Sequence, residues 1–237
     1  MTRRRWIADR VSGDRAILLG AHAEHLSRVL RARIGQEFDI SIGNEVRRGR
    51  ITSISSERVE FELGDAVPFP APPQITVALS VFKFDRMEWA IEKCTELGAS
   101  RIVPVIAQRT EAHLAAAAAK RAERWQRIAR QAAEQSRQLS PPEIVAPVKL
   151  KDAVALPAST RIVLSESEAQ TTLKKVLKSH PSGSIVLAFG PEGGWTDAEL
   201  EMFGNAGWSS ASLGITILRA ETAAIAAMAI VLAELQL

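Results

Sequence analysis

Apolar and polar residues alternate along Gln36 to Ile42, Arg48 to Ile54 and Arg58 to Leu63, and Gly35, Gly43-Asn44 and Ser55-Ser56 punctuate the pattern. A period of two marks strands with one buried face, so this stretch predicts short strands joined by turns in a small β-barrel. His22 to Arg33 departs from it, with Leu26, Val29 and Leu30 on one face of a helix. Prolines then occupy positions 68, 70, 72 and 73. Proline withholds a backbone donor and favours extended chain, which makes this segment the natural domain boundary.

Beyond it the period changes. Ile75 to Phe82 and Arg101 to Ile106 are continuous apolar strands, and Asp85 to Leu97 between them places Met87, Ala90, Ile91, Cys94 and Leu97 on one helical stripe. Asp85 with Glu88 reads as a capping box, and Gly98 as the left-handed stop. A long, basic helix follows from Ala115 to Leu139, ended by Pro141-Pro142. Strand Arg161 to Ser165 precedes helix Thr171 to Ser179. Strand Ile185 to Phe189 precedes helix Asp197 to Asn205, headed by a Thr196/Glu199 capping box. Strand Ser210 to Leu213 leads to a last helix, Glu221 to Glu234. Strands too apolar to have a wet face, alternating with helices, predict a parallel sheet covered on both sides. The expected fold is α/β, with a small domain at 1–70 and a larger one at 74–237.

Composition narrows the class. Of 237 residues, 46% are hydrophobic and 24% charged, which excludes disorder and fibrous repeats. One cysteine makes no intrachain disulfide, and beside four histidines it makes no structural zinc cluster, so a reducing, cytoplasmic setting and no metal are expected. His22 and His25 lie one turn apart without a third ligand nearby. The apolar run Ala223 to Ala233 is too short to span a membrane, and acids and arginines interrupt the chain after its basic start, so neither membrane nor export is expected. The formal net charge is only +3, yet residues 1–50 hold eleven arginines and no lysine against six acidic residues. Arginine forks bind phosphates, which suits a nucleic acid; a solvated arginine-rich surface explains the same count.

The Gly-x-Gly-x-x-Gly turn and the Gly-Lys-Ser/Thr phosphate loop are both absent. Instead Phe189-Gly190-Pro191-Glu192-Gly193-Gly194-Trp195 follows an apolar strand and precedes a helix, and Leu213-Gly214-Ile215-Thr216-Ile217-Leu218-Arg219 does so again. Glycine lets a ligand approach the backbone closely, and strand ends are where open α/β sheets bind ligands. A tight turn accounts for the first segment equally well. The alanines at 220, 223, 224, 226, 227 and 229 suit either a close interface or an ordinary buried helix.

Together the segments resemble a family. Arg4-Arg5-Trp6, His25-Leu-Ser-Arg28-Val-Leu-Arg31, Lys83 through Glu96-Leu97-Gly98, Glu134-Gln135-Ser136, Gly190-Pro-Glu-Gly-Gly194 and Leu213-Gly214 with Ile217-Leu218-Arg219-x-Glu221-Thr222-Ala223 are, in order and spacing, similar to the bacterial small-subunit (16S) ribosomal RNA uridine-N3 methyltransferases of the SPOUT class. The resemblance implies an N-terminal PUA-like barrel for RNA, a C-terminal domain with a trefoil knot, a homodimer, and S-adenosylmethionine as methyl donor. It implies a cofactor site at Leu164, Ser165, Gly190, Pro191, Gly193, Gly194, Leu213, Gly214, Ile217 and Leu218. It further implies RNA contacts at Arg4, Arg5, Arg28, Arg31, Arg109 and Arg137, with ribosomal RNA or the 30S subunit, and not DNA, as partner. Two positions depart from the family: Gln138 stands where an arginine is usual, with Arg137 one place early, and Thr216 replaces a frequent basic residue.

The implied chemistry sets its own demands. Uracil N3 lies between two carbonyls and is protonated at neutral pH, so it must lose a proton to attack a methyl group on a cationic sulfur. An arginine facing the carbonyl oxygens stabilises the anion and a carboxylate or water takes the proton, roles that fall to Arg219 and Glu192, although a Glu192 that only braces its own glycine turn explains that residue equally well. N3 is on the pairing edge, so the base must be unpaired or flipped out. A SPOUT enzyme modifying another RNA atom and a non-catalytic assembly factor remain alternatives.

Overall fold

The computed structural model describes residues 5–43, 45–68, 73–179 and 183–235. They form two compact units. The first holds the described residues up to 68 together with Ala133–Ser140, and the second holds Pro73–Ala132 and the chain from Pro141 onward.

In the first unit six strands, β1 (Arg5–Ile7), β2 (Arg10–Ser12), β3 (Arg15–Leu19), β4 (Glu37–Ile42), β5 (Glu45–Ile54) and β6 (Arg58–Val67), lie in the order β1-β4-β5-β6-β3-β2. β1 is parallel to β4 and the other pairs are antiparallel. The outermost strands, β1 and β2, are consecutive in the chain. Between them Ala8 N donates to Ser41 O (3.1 Å) in β4 and Asp9 N donates to Ile17 O (2.9 Å) in β3, so one continuous segment pairs with both edges and closes the sheet. Alternation fills the interior: Leu18, Phe38, Ile40, Ile51, Val59 and Phe61 point inward beside Trp6 and Leu26. Burying each such side chain contributes roughly 1.5–3 kcal/mol.

The single helix expected over His22 to Arg33 is divided and shorter. α1 (Gly20–Glu24) runs into a π-helical turn, His25–Val29, in which Leu30 N donates to His25 O (2.9 Å). Arg31 then takes φ 50°, which reverses the chain and leaves Arg31 to Arg33 outside the helix.

The second unit is built on seven parallel strands. β7 (Ile75–Ser80), β8 (Arg101–Ile106), β9 (Glu143–Ile144), β10 (Val148–Lys149), β11 (Thr160–Leu164), β12 (Ile185–Phe189) and β13 (Ser209–Ala211) follow the path β10-β8-β7-β12-β11-β13, with β9 beside β8. Side chains of both faces are buried. Ile75, Val77, Leu79, Ile162 and Leu187 pack under α2 (Phe84–Glu96), α6 (Leu173–Ser179) and α8 (Ala220–Glu234). Ala78, Val103, Val163 and Val186 pack on the other face, under α5 (Leu150–Val154) and α7 (Asp197–Asn205). The unit is a three-layer α/β fold.

Two further expectations need correction here. The long helix from Ala115 to Leu139 is α3 (Ala112–Ala118), a 3-10 turn (Ala119–Arg121) and α4 (Ala122–Gln135). α4 ends in a Schellman motif, with Gln138 N donating to Ala133 O (2.8 Å) and Arg137 at φ 61° where glycine is usual. The Asp85/Glu88 capping box does not form: Lys83 is the N-cap of α2 without a side-chain bond, and the Glu88 carboxylate is taken by Arg124 through two hydrogen bonds of 2.6 and 2.7 Å. Strands β1 to β3 and β9 to β10 and the five-residue α5 are too short for periodicity to declare. At α7 the capping box is present, Thr196 accepting from Glu199 N and Glu199 accepting from Thr196 N (2.8 Å). Cys94 is buried in the α2 stripe, where burial pushes its thiol up to about 12 and leaves it unreactive at neutral pH.

Candidate functional site

β12, β11 and β13 are neighbours and all parallel, so the loops that leave their carboxyl ends emerge side by side. The first, after β11, is tied down by Ser165 N donating to Ala211 O (3.0 Å) and by the Ser165 and Ser167 hydroxyls at 2.8 Å. In the second, Gly194 N donates to Pro191 O (2.8 Å), a turn that requires φ 70° at Gly194. Trp195 Nε1 donates to Leu164 O (3.1 Å) and fastens the second loop to the first. The third, after β13, turns at Gly214 and leaves Ile215 and Ile217 projecting into solvent.

These loops enclose a cavity of about 250 Å³. Leu164 and Ser165 line it from the first loop, Gly190, Pro191 and Gly194 from the second, and Leu213, Gly214, Ile217 and Leu218 from the third. The structure therefore brings these nine positions together. Gly193 is not on the wall; its carbonyl accepts a hydrogen bond from Arg109 Nη1 (2.6 Å), which also donates to Trp195 O (3.3 Å). Arg109 thus braces the outside of the glycine turn. Bare backbone faces the cavity for steric reasons: a Cβ on Gly190 would lie 3.3 Å from Trp195 N, and one on Gly194 would collide with the Glu166 carboxylate.

Arg219 and Glu192 share this wall, Arg219 as N-cap of α8. Arg86, from the first turn of α2, lines the cavity too and bonds Glu192 through Nη1 and Oε1 at 2.8 Å. Arg86 and Glu192 are far apart in sequence, so no local pattern signals the pair. Glu166 and Trp195 also line the cavity. Glu166 lies inside an expected loop, but a lone exposed acid between serines carries no mark of its own.

The arginines expected to meet RNA belong mostly to the first unit. Arg4 lies outside the described residues. Arg5 Nη1 donates to Arg137 O (2.6 Å), and Arg28 pairs with Glu24 at 3.0 Å. Arg31 and Arg137 are the non-glycine residues at positive φ among the described residues. Beside them, His22 stands between Glu134 (Nε2 to Oε2, 2.9 Å) and Asp9 (Nδ1 to Oδ2, 3.4 Å), and its hydrogen bond with Glu134 is the main cause of a pKa above the ordinary value. No group of three or more His, Cys, Asp or Glu side chains is placed to hold a metal among the described residues, and no helix there is long and apolar enough to cross a membrane.

Residues 70–232, more than half of the chain, match the model of the RNA methyltransferase domain. The chain belongs to the RNA methyltransferase family. Within the family it is similar to the ribosomal RNA small subunit methyltransferase E of Synechocystis, 34% identical over 217 residues covering 90% of this chain and 71% of the relative. The protein of that name from Aquifex aeolicus is 32% identical, covering 93% and 95% of the two chains. Among solved RNA methyltransferases, the small subunit methyltransferase E of Neisseria gonorrhoeae bound to S-adenosylmethionine superposes with a TM-score of 0.84 at 32% identity, over 98% of this chain and 97% of that one. A putative methyltransferase of Legionella pneumophila in complex with the same cofactor superposes with a TM-score of 0.80 at 27% identity, over 98% and 97%.

Proposed function

We propose that this protein transfers a methyl group from S-adenosylmethionine to N3 of a uridine in small-subunit ribosomal RNA, with the assembled 30S subunit in the cytoplasm as substrate. The observation that carries the reading is the cavity at three adjacent strand ends, walled by glycine backbone and flanked by the arginines Arg86 and Arg219 and the carboxylates Glu166 and Glu192. It fits the cofactor: with no side chain at Gly190, where a Cβ would crowd Trp195 N, or at Gly194, where one would collide with the Glu166 carboxylate, backbone donors and acceptors are left at the wall. Such groups suit a nucleoside that needs hydrogen bonds more than counter-charges. The loops at Leu164 to Ser165, Gly190 to Gly194 and Leu213 to Leu218 would hold it, and when bound it supplies an electrophilic methyl group.

The rest of the work falls to the chain. Arg219 presents a planar fork to the uracil carbonyl oxygens and stabilises the anion left when N3 loses its proton. Glu192, on the same wall, accepts that proton directly or through water. In the first unit, which we read as a PUA-like RNA-binding domain, Arg31 and Arg137 carry their side chains at helix ends where glycine would cost less. A left-handed arginine costs roughly 1–2 kcal/mol, and keeping it there supports a role for the outward guanidinium in binding phosphate. We read the second unit as trefoil-knotted and the active form as a homodimer through it.

Nucleoside mass spectrometry of 16S ribosomal RNA from cells with and without the gene tests the function. Loss of 3-methyluridine, restored by the purified protein acting on 30S subunits, is the expected result. A different missing nucleoside would assign another RNA atom, and an unchanged profile would leave an assembly factor.

A further inference from the structure

The three elements that meet at one edge of the cavity are distant in sequence: the first turn of α2, the loop after β12 and the first turn of α8. One side chain joins them. Arg86 Nη1 lies 2.8 Å from Glu192 Oε1, and its Nε lies 3.8 Å from Glu221 Oε1. The first turn of α8 suits the Glu221 carboxylate, whereas the first turn of α2 does not suit Arg86. A cation in the first turn of a helix opposes the helix dipole. Glu221 is 3% exposed, and its Oε2 is buried without a hydrogen-bond partner. An unpaired buried carboxylate oxygen costs stability that an apolar side chain would not.

Glu221 is not on the cavity wall, whereas Ala220 and Ala223 on the same helix are. Its carboxylate acts from behind, holding Arg86 against the wall where Arg86 meets Glu192. The far side of the same loop is held independently, by Arg109 on the Gly193 and Trp195 carbonyls. The loop therefore has two separate fastenings, one on the backbone that forms the cofactor wall and one on the side chain of Glu192.

We propose that Arg86, pinned by the buried Glu221, is a positioning residue that sets the Glu192 carboxylate against the start of α8, and so against Arg219, for methyl transfer. The inference rests on the methyltransferase reading of the site. It separates two quantities that a general structural role would move together, because loss of Arg86 leaves the Arg109 fastening, and with it the glycine wall, in place.

The experiment compares the parent with Arg86→Gln, Arg86→Lys, Glu221→Gln and the Arg86→Gln/Glu221→Gln double variant. Single-turnover methyl incorporation into 30S subunits is measured at saturating S-adenosylmethionine, cofactor affinity by calorimetry, and melting temperature on the same samples. Arg86→Gln should slow the turnover about tenfold or more while changing cofactor affinity by less than about twofold. Arg86→Lys should recover part of the rate. Glu221→Gln should slow it less, and the double variant should be no slower than Arg86→Gln alone, since both substitutions break one linkage. A rate within about twofold of the parent, a parallel fall in affinity and melting temperature, or additive losses in the double variant would each overturn the proposal. Incorporation is counted irrespective of the base modified, so a parent that methylates a position other than uridine N3 overturns the functional reading and still leaves the Arg86 comparison decisive. A parent that incorporates no methyl overturns both.

Discussion

Replacing Gly194 by alanine adds one carbon at the point where the glycine turn faces the cavity. Gly194 has φ 70°, and the new Cβ would collide with the Glu166 carboxylate oxygen and lie 3.2 Å from its Cδ. The backbone penalty for an L-residue in the left-handed region is about 1 kcal/mol. Glu166 is the far end of a flexible, exposed side chain, so moving it adds little to that cost in stability. For a chain of this length about 1 kcal/mol lowers the melting temperature by roughly 2–4 °C. The effect on ligand binding should be larger, because Glu166 also lines the cavity and must be displaced along the wall proposed to take the cofactor. We expect a loss of about tenfold or more in S-adenosylmethionine affinity, equivalent to about 1.4 kcal/mol. Gly207→Ala is the matched control: its φ is 77°, its Cβ would lie 3.5 Å from Arg161 Nη2, and it is not among the residues lining the cavity. It should show the same drop in melting temperature with unchanged affinity. Calorimetric titration of both variants decides the matter. Gly194→Ala binding as tightly as the parent, or Gly207→Ala weakening equally, would refute the placement of the pocket.

Arg219→Lys keeps the charge and loses the planar fork, so single-turnover methylation should fall while cofactor affinity and melting temperature stay near parental values; a rate within about twofold of the parent removes Arg219 from the reaction. Arg31→Gly should act with opposite signs on two measurements, raising the melting temperature by relieving the positive φ and weakening RNA binding. Its log-log salt dependence should flatten by roughly 0.7–0.9 for the single phosphate that the variant leaves unneutralised, and an unaltered slope would make Arg31 solvated surface. Glu134 and Asp9 favour the protonated form of His22, and its raised pKa means that the stabilisation is complete below the ordinary histidine value and is lost as pH rises through the folded value. The melting-temperature gap between the parent and His22→Gln should therefore be wide at acid pH and narrow on going to alkaline pH, and a gap that widens would contradict the ion pairs.

What the sequence declares and what it conceals divide along a physical line. Features that depend on neighbours in the chain are legible. The five-residue apolar strand β12, the Thr196/Glu199 cap and the positive φ at Gly98 all follow from spacing within a turn or two. The three loops share one cavity because β12, β11 and β13 are adjacent, an order that periodicity does not encode; the family resemblance supplies it. Competition between distant partners is hidden altogether. Asp85 and Glu88 have the spacing of a capping box, but the helix starts earlier, at an N-cap of Lys83, and Glu88 inside it pairs with Arg124, while Glu192 reads as a lone acid in a glycine loop and is bound to Arg86. The helix ends escape the sequence for a related reason, since Arg31 and Arg137 adopt a conformation that local rules reserve for glycine.

Because Ala133–Ser140 belong to the first unit, that unit is discontinuous in the chain. A ribosome making this protein releases the last barrel strand, β6, and then about seventy further residues before Glu134 and the Arg137 carbonyl reach His22 and Arg5. At typical elongation rates the barrel waits roughly 3–14 s for its final piece, while β7, α2 and β8 of the second unit are already emerging. Synthesis therefore interleaves the two units: neither is finished before the other has begun, and a nascent chain of which only the first 72 residues have emerged presents a barrel that still lacks Glu134 and the Arg137 carbonyl.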